Sequence, residues 1–366
     1  MAGAVVLALA GDVMLGRGID QILPHPGDPT LWESHVRDAR DYVRLAEVVN
    51  GPIPVPVDMT WPWGDALEVL ATAGPAVRIL NLETAVTYGG DAVPSKGIHY
   101  RMHPANLPCL AAAAPHACVL ANNHVLDFGR RGLADTLDHL TEAGMQPVGA
   151  GRNEEAAWRP AIVQAGTARV AIVAFGTPSS GIPSAWAAAG DRPGVAYVPE
   201  LSVPAAARIA SVVGSGDVVV ASVHWGTNWG YPADDEQIRF AHALIDAGVH
   251  VVHGHSSHHP RPIELYRGGL ILYGCGDLIN DYEGIGGYPL YRGELRLLYL
   301  VTVQPGVGVR DLRMAPLRAR RMRLEHATRD ERWWLAAVLD RVSRELGTRV
   351  ECDSDGMLQA RPIGPD

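Results

Sequence analysis

Histidine is concentrated in one short segment of the chain. Five of the fifteen histidines lie between residues 250 and 259, and they directly follow or overlap an apolar run that ends at residue 252. Neutral imidazole is the side chain that proteins use most often to bind transition metals. We therefore predict that His253, His255 and His258 include metal ligands, although spacing alone does not decide which of them bind.

Four other apolar runs also end in residues that bind metals. The residues at or just after these ends are Asp12, Glu83, Asn123 and His224. Taken singly, each one is more typical of a helix cap, a turn or a core residue. Because the carboxyl ends of parallel strands meet at one edge of a sheet, five such ends in one chain favour a common site.

This mixture of side chains suits one or two divalent ions. Two carboxylates (Asp12 and Glu83), the amide oxygen of Asn123 and several imidazoles are ligands for Mn²⁺, Fe²⁺ or Zn²⁺. Glu83 is the candidate bridging ligand, since two ions about 3.5–4 Å apart can share a carboxylate. His124 is predicted to act as a general acid or to stabilise charge on a substrate. Asp127 either orients the His124 ring or caps the helix that follows.

Short apolar segments alternate with helical patterns along the chain. Strands are predicted at residues 5–10, 77–82, 117–121, 170–175, 218–224, 249–253, 270–273 and 295–303. Helices with one apolar face are predicted at residues 132–143, 234–247 and 330–346. This alternation predicts an α/β fold, in which the strands bring the candidate ligands to one sheet edge.

An ordered set of short motifs carries a family resemblance. The motifs are Gly-Asp-x-Met at 11–14, Asn-Leu-Glu at 81–83, Asn-Asn-His-x-x-Asp-x-Gly at 122–129, His-Trp-Gly at 224–226 and Gly-His-x-x-His at 254–258. Together they resemble the CapA family, which is named for poly-γ-glutamate capsule synthesis and belongs to the calcineurin-like metallophosphoesterase superfamily. The resemblance covers about residues 7–281. It implies a four-layer α/β/β/α sandwich of the metallophosphoesterase type, with a metal site at one sheet edge.

The resemblance also implies roles for individual ligands. Asp12 would bind a first metal, Glu83 would bridge, and Asn123 and His224 would bind a second metal. His255 and His258 would be divided between the two ions, and His253 could replace either of them. The chain departs from the superfamily at Met14, where a histidine ligand is usual, so the first metal has fewer ligands than in a standard phosphoesterase. Asp277 and Asp281 are candidates to support the ligands from behind.

Four residues are candidates for substrate contacts. Lys96 and Arg101 lie in a loop after Glu83, and Arg17 closely follows the first motif. Cationic side chains near metals would suit a phosphate or carboxylate group, but solvated loop charges are an equally good interpretation. Trp225, which follows His224, either walls a pocket or packs in the core.

Composition excludes several other classes of function. The net charge is −9, and the one arginine-rich segment, at 310–323, is interpreted as a solvated face, so no nucleic-acid partner is predicted. The four cysteines are widely spaced, which argues against a disulfide framework and a thiolate zinc site. No stretch reaches the roughly 18 apolar residues of a membrane span. The first ten residues are interpreted as a core strand, and the protein is predicted to be cytoplasmic.

These observations lead to one expected organisation and to competing functions. Residues 1–304 are expected to form the CapA-like metallophosphoesterase domain, and residues 305–366 a C-terminal appendage packed on it. The first hypothesis is a hydrolase in which a metal-bound hydroxide attacks a phosphoester or a related substrate of poly-γ-glutamate metabolism. The alternatives are γ-glutamyl amide or acyl-phosphate chemistry, and a non-enzymatic accessory protein of capsule synthesis. The predicted partner is a small-molecule or polyglutamate substrate, and the sequence gives no indication of oligomeric state.

Overall fold

The computed structural model describes residues 3–94, 96–213 and 217–364. The described residues form twenty β-strands and nine α-helices. The strands are β1 (Val5–Val13), β2 (Val77–Leu82), β3 (Ala85–Val86), β4 (Arg101–Met102), β5 (Ala117–Val119), β6 (Gln146–Val148), β7 (Ala150–Gly151), β8 (Ala161–Ala165), β9 (Ala168–Gly176), β10 (Gly194–Val195), β11 (Val218–His224), β12 (Val251–His255), β13 (Ile263–Tyr266), β14 (Gly269–Leu272), β15 (Asp277–Ile279), β16 (Leu295–Gln304), β17 (Gly308–Ala319), β18 (Leu324–His326), β19 (Thr348–Cys352) and β20 (Leu358–Pro362). The helices are α1 (Arg17–Ile22), α2 (Arg40–Asn50), α3 (Ala66–Ala73), α4 (Leu107–Ala111), α5 (Gly129–Glu142), α6 (Glu154–Trp158), α7 (Val203–Val213), α8 (Asp235–Asp246) and α9 (Arg329–Ser343). Within the described ranges, no helix combines the length and the apolar character needed to cross a membrane.

Two sheets organise these elements. The first has ten strands along the path β19-β20-β17-β16-β1-β2-β5-β6, with β15 beside β1 and β18 beside β17. The second has six strands in the order β13-β14-β12-β11-β9-β8. β1, β2 and β5 are parallel in the first sheet, and β9, β11 and β12 are parallel in the second. Their carboxyl ends therefore lie along one edge of each sheet.

The alternation of side chains along the strands produces four layers. Leu7 and Leu9 of β1 join Ile172 of β9 in a core between the two sheets. The intervening residue Ala8 faces the other way, into a core with helices α1 to α5. Val173 of β9 likewise faces outward, into a core with α7 and α8. Successive strand residues point to opposite faces, so each sheet buries both of its faces. The predicted α/β/β/α sandwich is confirmed.

A β-bulge near the end of β1 shapes the edge of the first sheet. The pairing of β1 with β2 shifts register between Ala10 and Asp12. Gly11 lies in this bulge, and a Cβ atom there would be only 1.8 Å from the carbonyl oxygen of Gly276. Glycine thus permits the segment around Gly276 to pack directly on β1, where Asp12 pairs with Asp277. The close packing places two carboxylates side by side at this edge.

Residues 305–366 continue the first sheet. β17 pairs with β16 along almost its whole length, so the predicted boundary after residue 304 falls in the turn between two paired strands. β19 and β20 extend the sheet beyond β17. Helix α9 contributes Leu335 and Leu339 to the core between the sheets. Of the arginines at 310–323, Arg318 forms an ion pair with Glu325 at 3.1 Å, whereas Arg320 is exposed.

Candidate metal centre

Strand ends from both sheets bring candidate ligands to one edge of the sandwich. Asp12 lies near the end of β1, and Glu83 and Asn123 follow β2 and β5 in the first sheet. His224 and His255 are the last residues of β11 and β12, and they are register partners in the second sheet. Asp12 Oδ1 lies 4.0 Å from His255 Nδ1, and Asn123 Oδ1 lies 3.1 Å from His224 Nε2. The structure thus brings these five predicted residues together.

A first group of potential ligands consists of Asp12, His224 and His255. One donor atom from each lies within 4.8 Å of the others, and all three residues are buried. The Nδ1 atoms of His224 and His255 are 2.7 Å apart. Burial holds the pKa of both imidazoles well below the usual range, so both rings are neutral at neutral pH. Two neutral imidazoles beside a carboxylate can offer lone pairs to one cation.

His253 lies next to this group, and both of its ring nitrogens have hydrogen-bond partners. Its Nε2 atom lies 3.0 Å from the carbonyl oxygen of Ala10, and its Nδ1 atom lies 3.0 Å from Ser222 Oγ. Both ring nitrogens are therefore occupied by protein groups. Among the described residues His253 belongs to neither donor group, and its place as an alternative to His255 or His258 stays a prediction.

A second group consists of Asp12, His258 and Asp277, whose donor atoms also lie within 4.8 Å of one another. His258 Nδ1 lies 3.0 Å from Asp277 Oδ1, and His258 Nε2 lies 3.0 Å from the side-chain amide of Asn228. Burial opposes both charges of the His258–Asp277 pair, but their attraction prevails. It raises the pKa of His258 and lowers the pKa of Asp277. Asn280 Nδ2 fixes the other oxygen of Asp277 at 2.5 Å.

Asp277 was expected only to support other ligands, whereas its carboxylate lies among the donor atoms. The signal in the sequence is the same as for the other ligands, because Asp277 follows the strand-like run 270–273 by a few residues.

Asn81 is a second residue whose role emerges from the structure. Its Nδ2 atom donates to Asp12 Oδ1 at 2.8 Å and to Glu83 Oε2 at 3.0 Å, which holds the two carboxylates side by side.

The buried carboxylates fit a site that holds cations. Burial, with Asp277 as the next cause, raises the pKa of Asp12 to about 7. Burial and the neighbouring Asp12 raise the pKa of Glu83 well above its usual range. Such groups are costly to bury as anions unless a positive charge lies between them. Among the described residues, Asp12 belongs to both donor groups, whereas Glu83 belongs to neither, and its bridging role stays a prediction.

Metal-free protein is expected to lose stability as the pH falls below about 6.5. Burial lowers the pKa of His124, His253 and His259 to about 4, so the folded chain binds fewer protons than the unfolded chain between these pH values. Each such imidazole removes up to about 1.4 kcal/mol of unfolding free energy per pH unit. Asp12 and Glu83, with raised pKa values, act in the opposite direction and leave a net loss on the order of a few kcal/mol. Urea unfolding of chelator-treated protein across this interval measures the loss, and a constant free energy would contradict it.

His124 lies beside the donor groups and is held from behind. Its Nδ1 atom is 2.7 Å from Asp127 Oδ2 and 2.9 Å from Lys96 Nζ, while its Nε2 atom is 3.8 Å from Glu83 Oε1. The ring also contacts Tyr100 edge to face, with centroids 4.5 Å apart. Lys96 forms an ion pair with Asp127, and burial lowers the pKa of this lysine. The imidazole thus presents Nε2 toward the cluster, and Lys96 contacts His124 and Asp127 instead of being a free loop charge.

Arg17 is deeply buried in an ion-pair network. Its guanidinium contacts Asp281 at 2.5 Å and Glu33 at 2.8 Å. It also lies 3.7 Å from the ring centroid of Tyr42 and 4.7 Å from that of Tyr100. Because two carboxylates neutralise this cation, the main role of Arg17 is structural: it links Asp281 and Glu33 at the wall of the site. Its predicted contact with substrate stays a prediction.

The other two candidates for substrate contacts have protein partners of their own. Arg101 lies 3.9 Å from Asp28 and packs over the ring of Phe128, so its role in binding also stays a prediction. Trp225 is fully buried, stacks on Tyr273 and donates through Nε1 to the Tyr273 carbonyl at 3.0 Å. The expectation that Trp225 walls a pocket is wrong, and the alternative of core packing is correct.

A cavity of about 1060 Å³ opens beside the second donor group. His258, Asp277 and Asn228 line it. Its walls also carry the aromatic residues Tyr42, Trp229, Tyr282 and Tyr288, the arginines Arg292, Arg296, Arg318 and Arg320, and the acidic residues Glu283, Glu294 and Glu331. Trp229 stacks on Tyr288, with ring centroids 3.9 Å apart. The space is large enough for an extended ligand that reaches the donor groups at one end.

Fold and site together define an α/β sandwich protein with a candidate metal centre at the shared edge of its two sheets. The model of the family described as "Bacterial capsule synthesis protein PGA_cap" matches residues 6–282, and the chain therefore belongs to this family, the CapA family. The chain is 52% identical to the "Probable polyglutamine synthesis accessory protein Rv0574c" of Mycobacterium tuberculosis, over 99% of this chain and 98% of that protein. It is 27% identical to the "PGA biosynthesis protein CapA" of Bacillus subtilis, over 75% of this chain and 63% of that protein. A similar match, at 24% identity over 76% and 60%, links it to the "Capsule biosynthesis protein CapA" of Bacillus anthracis.

Proposed function

We propose that this protein is a metal-dependent hydrolase that serves polyglutamate metabolism. The observation that carries the proposal is the pair of buried donor groups that share Asp12, with the His124 imidazole held at their side. An accessory protein that only binds a partner has no need of two adjacent buried carboxylates, which reduce stability unless a cation compensates them. The link to polyglutamate comes from the names of the similar proteins.

The residues of the chain divide the chemistry between them. When bound, one or two divalent ions (Mn, Fe or Zn) supply a Lewis acid that draws charge from a phosphoryl or carbonyl oxygen. Asp12, His224, His255, His258 and Asp277 would hold the ions, with Asn123 and Glu83 beside them. His124 would donate a proton, or a hydrogen bond, from Nε2 in its doubly protonated form, which the contact of Nδ1 with Asp127 stabilises and which negative charge on a bound substrate would favour over the neutral ring. Asp127 and Lys96 keep the ring in this orientation.

The cavity supports an extended, anionic substrate. Arg320 is exposed at its wall. Arg292 and Arg318 also line it and share Glu331 as an ion-pair partner, so they would have to exchange part of this pairing for a carboxylate of the substrate. Guanidinium groups recognise carboxylates and phosphates with two parallel hydrogen bonds. A polyglutamate chain, or a phosphorylated precursor of it, would therefore place its reacting group at His258 and Asp277 and its further carboxylates along the arginines.

Two alternatives share this geometry and differ in what is cleaved. The reacting group is a phosphoester in the first case, and a γ-glutamyl amide or acyl phosphate in the second. A third possibility, a non-enzymatic accessory role, is compatible with the names of the relatives. The decisive experiment combines elemental analysis of tag-free protein with turnover assays after addition of Mn²⁺. The assays use p-nitrophenyl phosphate, acetyl phosphate and γ-glutamyl-p-nitroanilide.

We expect one or two equivalents of metal and turnover of at least one substrate that is lost after chelation and restored by Mn²⁺. The substrate that is turned over distinguishes phosphoester from amide or acyl-phosphate chemistry. Stoichiometric metal without any turnover would favour the accessory role. Protein that takes up no metal under any of these conditions would overturn the proposal.

A further inference from the structure

A chain of buried hydrogen bonds leads from the backbone of the first sheet to His255. The carbonyl oxygen of Ala10 lies 3.0 Å from His253 Nε2, and His253 Nδ1 lies 3.0 Å from Ser222 Oγ. Ser222 Oγ in turn lies 3.0 Å from His255 Nε2. Because Ser222, His253 and His255 are all fully buried, these hydrogen bonds replace the ones that their polar atoms would otherwise make with water.

The direction of every hydrogen bond in this chain follows from its first member. A carbonyl oxygen can only accept, so His253 must carry its proton on Nε2. A buried imidazole without a carboxylate in contact is neutral, which leaves His253 Nδ1 as an acceptor. The Ser222 hydroxyl must donate to this Nδ1, and its oxygen can then only accept from His255. His255 therefore carries its proton on Nε2, and its Nδ1 bears the lone pair.

The lone pair of His255 points at the first donor group. His255 Nδ1 lies 2.7 Å from His224 Nδ1, so in the metal-free protein His224 carries the proton of this contact, and it lies 4.0 Å from Asp12 Oδ1. We propose that Ser222 and His253 are positioning residues that fix the tautomer of His255, so that its Nδ1 is permanently available to a divalent cation. This inference rests on the metal site of the proposed function, but the tautomer itself can be observed without any metal.

Loss of the hydroxyl would reverse the arrangement. Without Ser222 Oγ, a proton on His255 Nε2 has no acceptor in a fully buried position. The proton of His255 then moves to Nδ1, and His224 Nδ1 accepts it at 2.7 Å when the His224 ring carries its own proton on Nε2, 3.1 Å from Asn123 Oδ1. The nitrogen that should bind the cation becomes a donor, so metal binding must first displace a proton.

Nuclear magnetic resonance of the wild-type protein tests the tautomer directly. Protein labelled with ¹⁵N-histidine and treated with chelator is examined by long-range ¹H–¹⁵N correlation. We expect the His255 and His253 rings to be neutral and protonated at Nε2. A proton on Nδ1 of His255 in the wild-type protein would overturn the inference, whatever the metal content or activity.

Variants of Ser222 then connect the tautomer to metal affinity. In Ser222→Ala we expect the His255 proton to move to Nδ1 and Mn²⁺ to bind about 10–100-fold more weakly by calorimetry. His253→Phe should cause the same movement, because the Ser222 hydroxyl is then free to donate to His255. Ser222→Thr restores the hydroxyl and should restore both the tautomer and most of the affinity. Ser343→Ala removes another buried serine hydroxyl, which accepts from the Ile263 amide away from the site, and serves as the matched control.

The outcomes separate this inference from the proposed function. If wild-type protein binds no Mn²⁺ but shows the expected tautomer, the proposed metal site fails and the hydrogen-bond chain stands. If wild-type protein binds Mn²⁺ and Ser222→Ala binds it equally well, Ser222 is not a positioning residue and the metal site stands.

Discussion

Replacement of Asp12 by asparagine is expected to abolish metal binding at both donor groups. Asp12 belongs to the group with His224 and His255 and to the group with His258 and Asp277. Asparagine keeps the size of the side chain and can still contact Asn81, but it removes the negative charge that both groups share. Elemental analysis of Asp12→Asn after loading with Mn²⁺ or Zn²⁺ and desalting should therefore find no stoichiometric metal.

Stability measurements distinguish loss of a ligand from loss of the fold. Burial raises the pKa of Asp12, so its ionised form destabilises the metal-free protein at neutral pH. Metal-free Asp12→Asn should consequently be at least as stable as the metal-free wild type. Asp20→Asn alters another buried carboxyl group outside the cluster, which contacts Asn106, and should retain metal. Retention of metal by Asp12→Asn would show that Asp12 does not join the two groups.

Glu83→Gln is the informative companion variant, because it tests which carboxylate bridges two ions. The resemblance makes Glu83 the bridging ligand, whereas the donor groups share Asp12. Glu83 Oε1 lies 4.0 Å from His224 Nε2, on the side of the first group. We expect Glu83→Gln to weaken binding at the first group and to leave the second occupied. Loss of both equivalents would restore Glu83 as the bridge.

The sequence predicts that the candidate ligands lie close together, because this arrangement depends on local patterns. Apolar runs that end in Asp12, Glu83 or His224 are recognisable in isolation, and parallel strands bring such ends to one sheet edge. The position of Trp225 could also have been read from the sequence. Its neighbour His224 faces the site, and successive residues at a strand end point to opposite faces, which sends Trp225 into the helix-covered core.

Other features depend on contacts between distant segments and leave no local signal. The closeness of Asp277 to Asp12 requires the bulge at Gly11 and the pairing of β15 with β1. β17 contains Pro316 and several arginines, which is unusual for a strand inside a sheet. The local pattern therefore does not identify β17 as a partner of β16. In the structure, Arg313 and Arg318 form ion pairs with acidic residues in the last part of the chain. Long-range pairing decided these positions against local propensity.

Replacement of His124 by asparagine is expected to keep the metal and to lose most of the turnover. His124 belongs to neither donor group, and its Nε2 atom faces Glu83 from the side. A positioned proton donor typically contributes about 10²–10⁴-fold to the rate, so kcat should fall by a factor in this range. Elemental analysis of His124→Asn should meanwhile find the wild-type metal content.

The leaving group shows whether His124 acts by donating a proton. A leaving group that is stable as an anion, such as p-nitrophenolate, needs little help from an acid, whereas an alkoxide needs a proton as it departs. His124→Asn should therefore slow an alkyl ester of the preferred substrate class far more than the p-nitrophenyl compound. His116→Asn, which changes a histidine that accepts from the Arg78 amide outside the cluster, should slow neither. An equal loss on both substrates would mean that His124 stabilises charge without transferring its proton, and loss of metal in His124→Asn would make it a ligand.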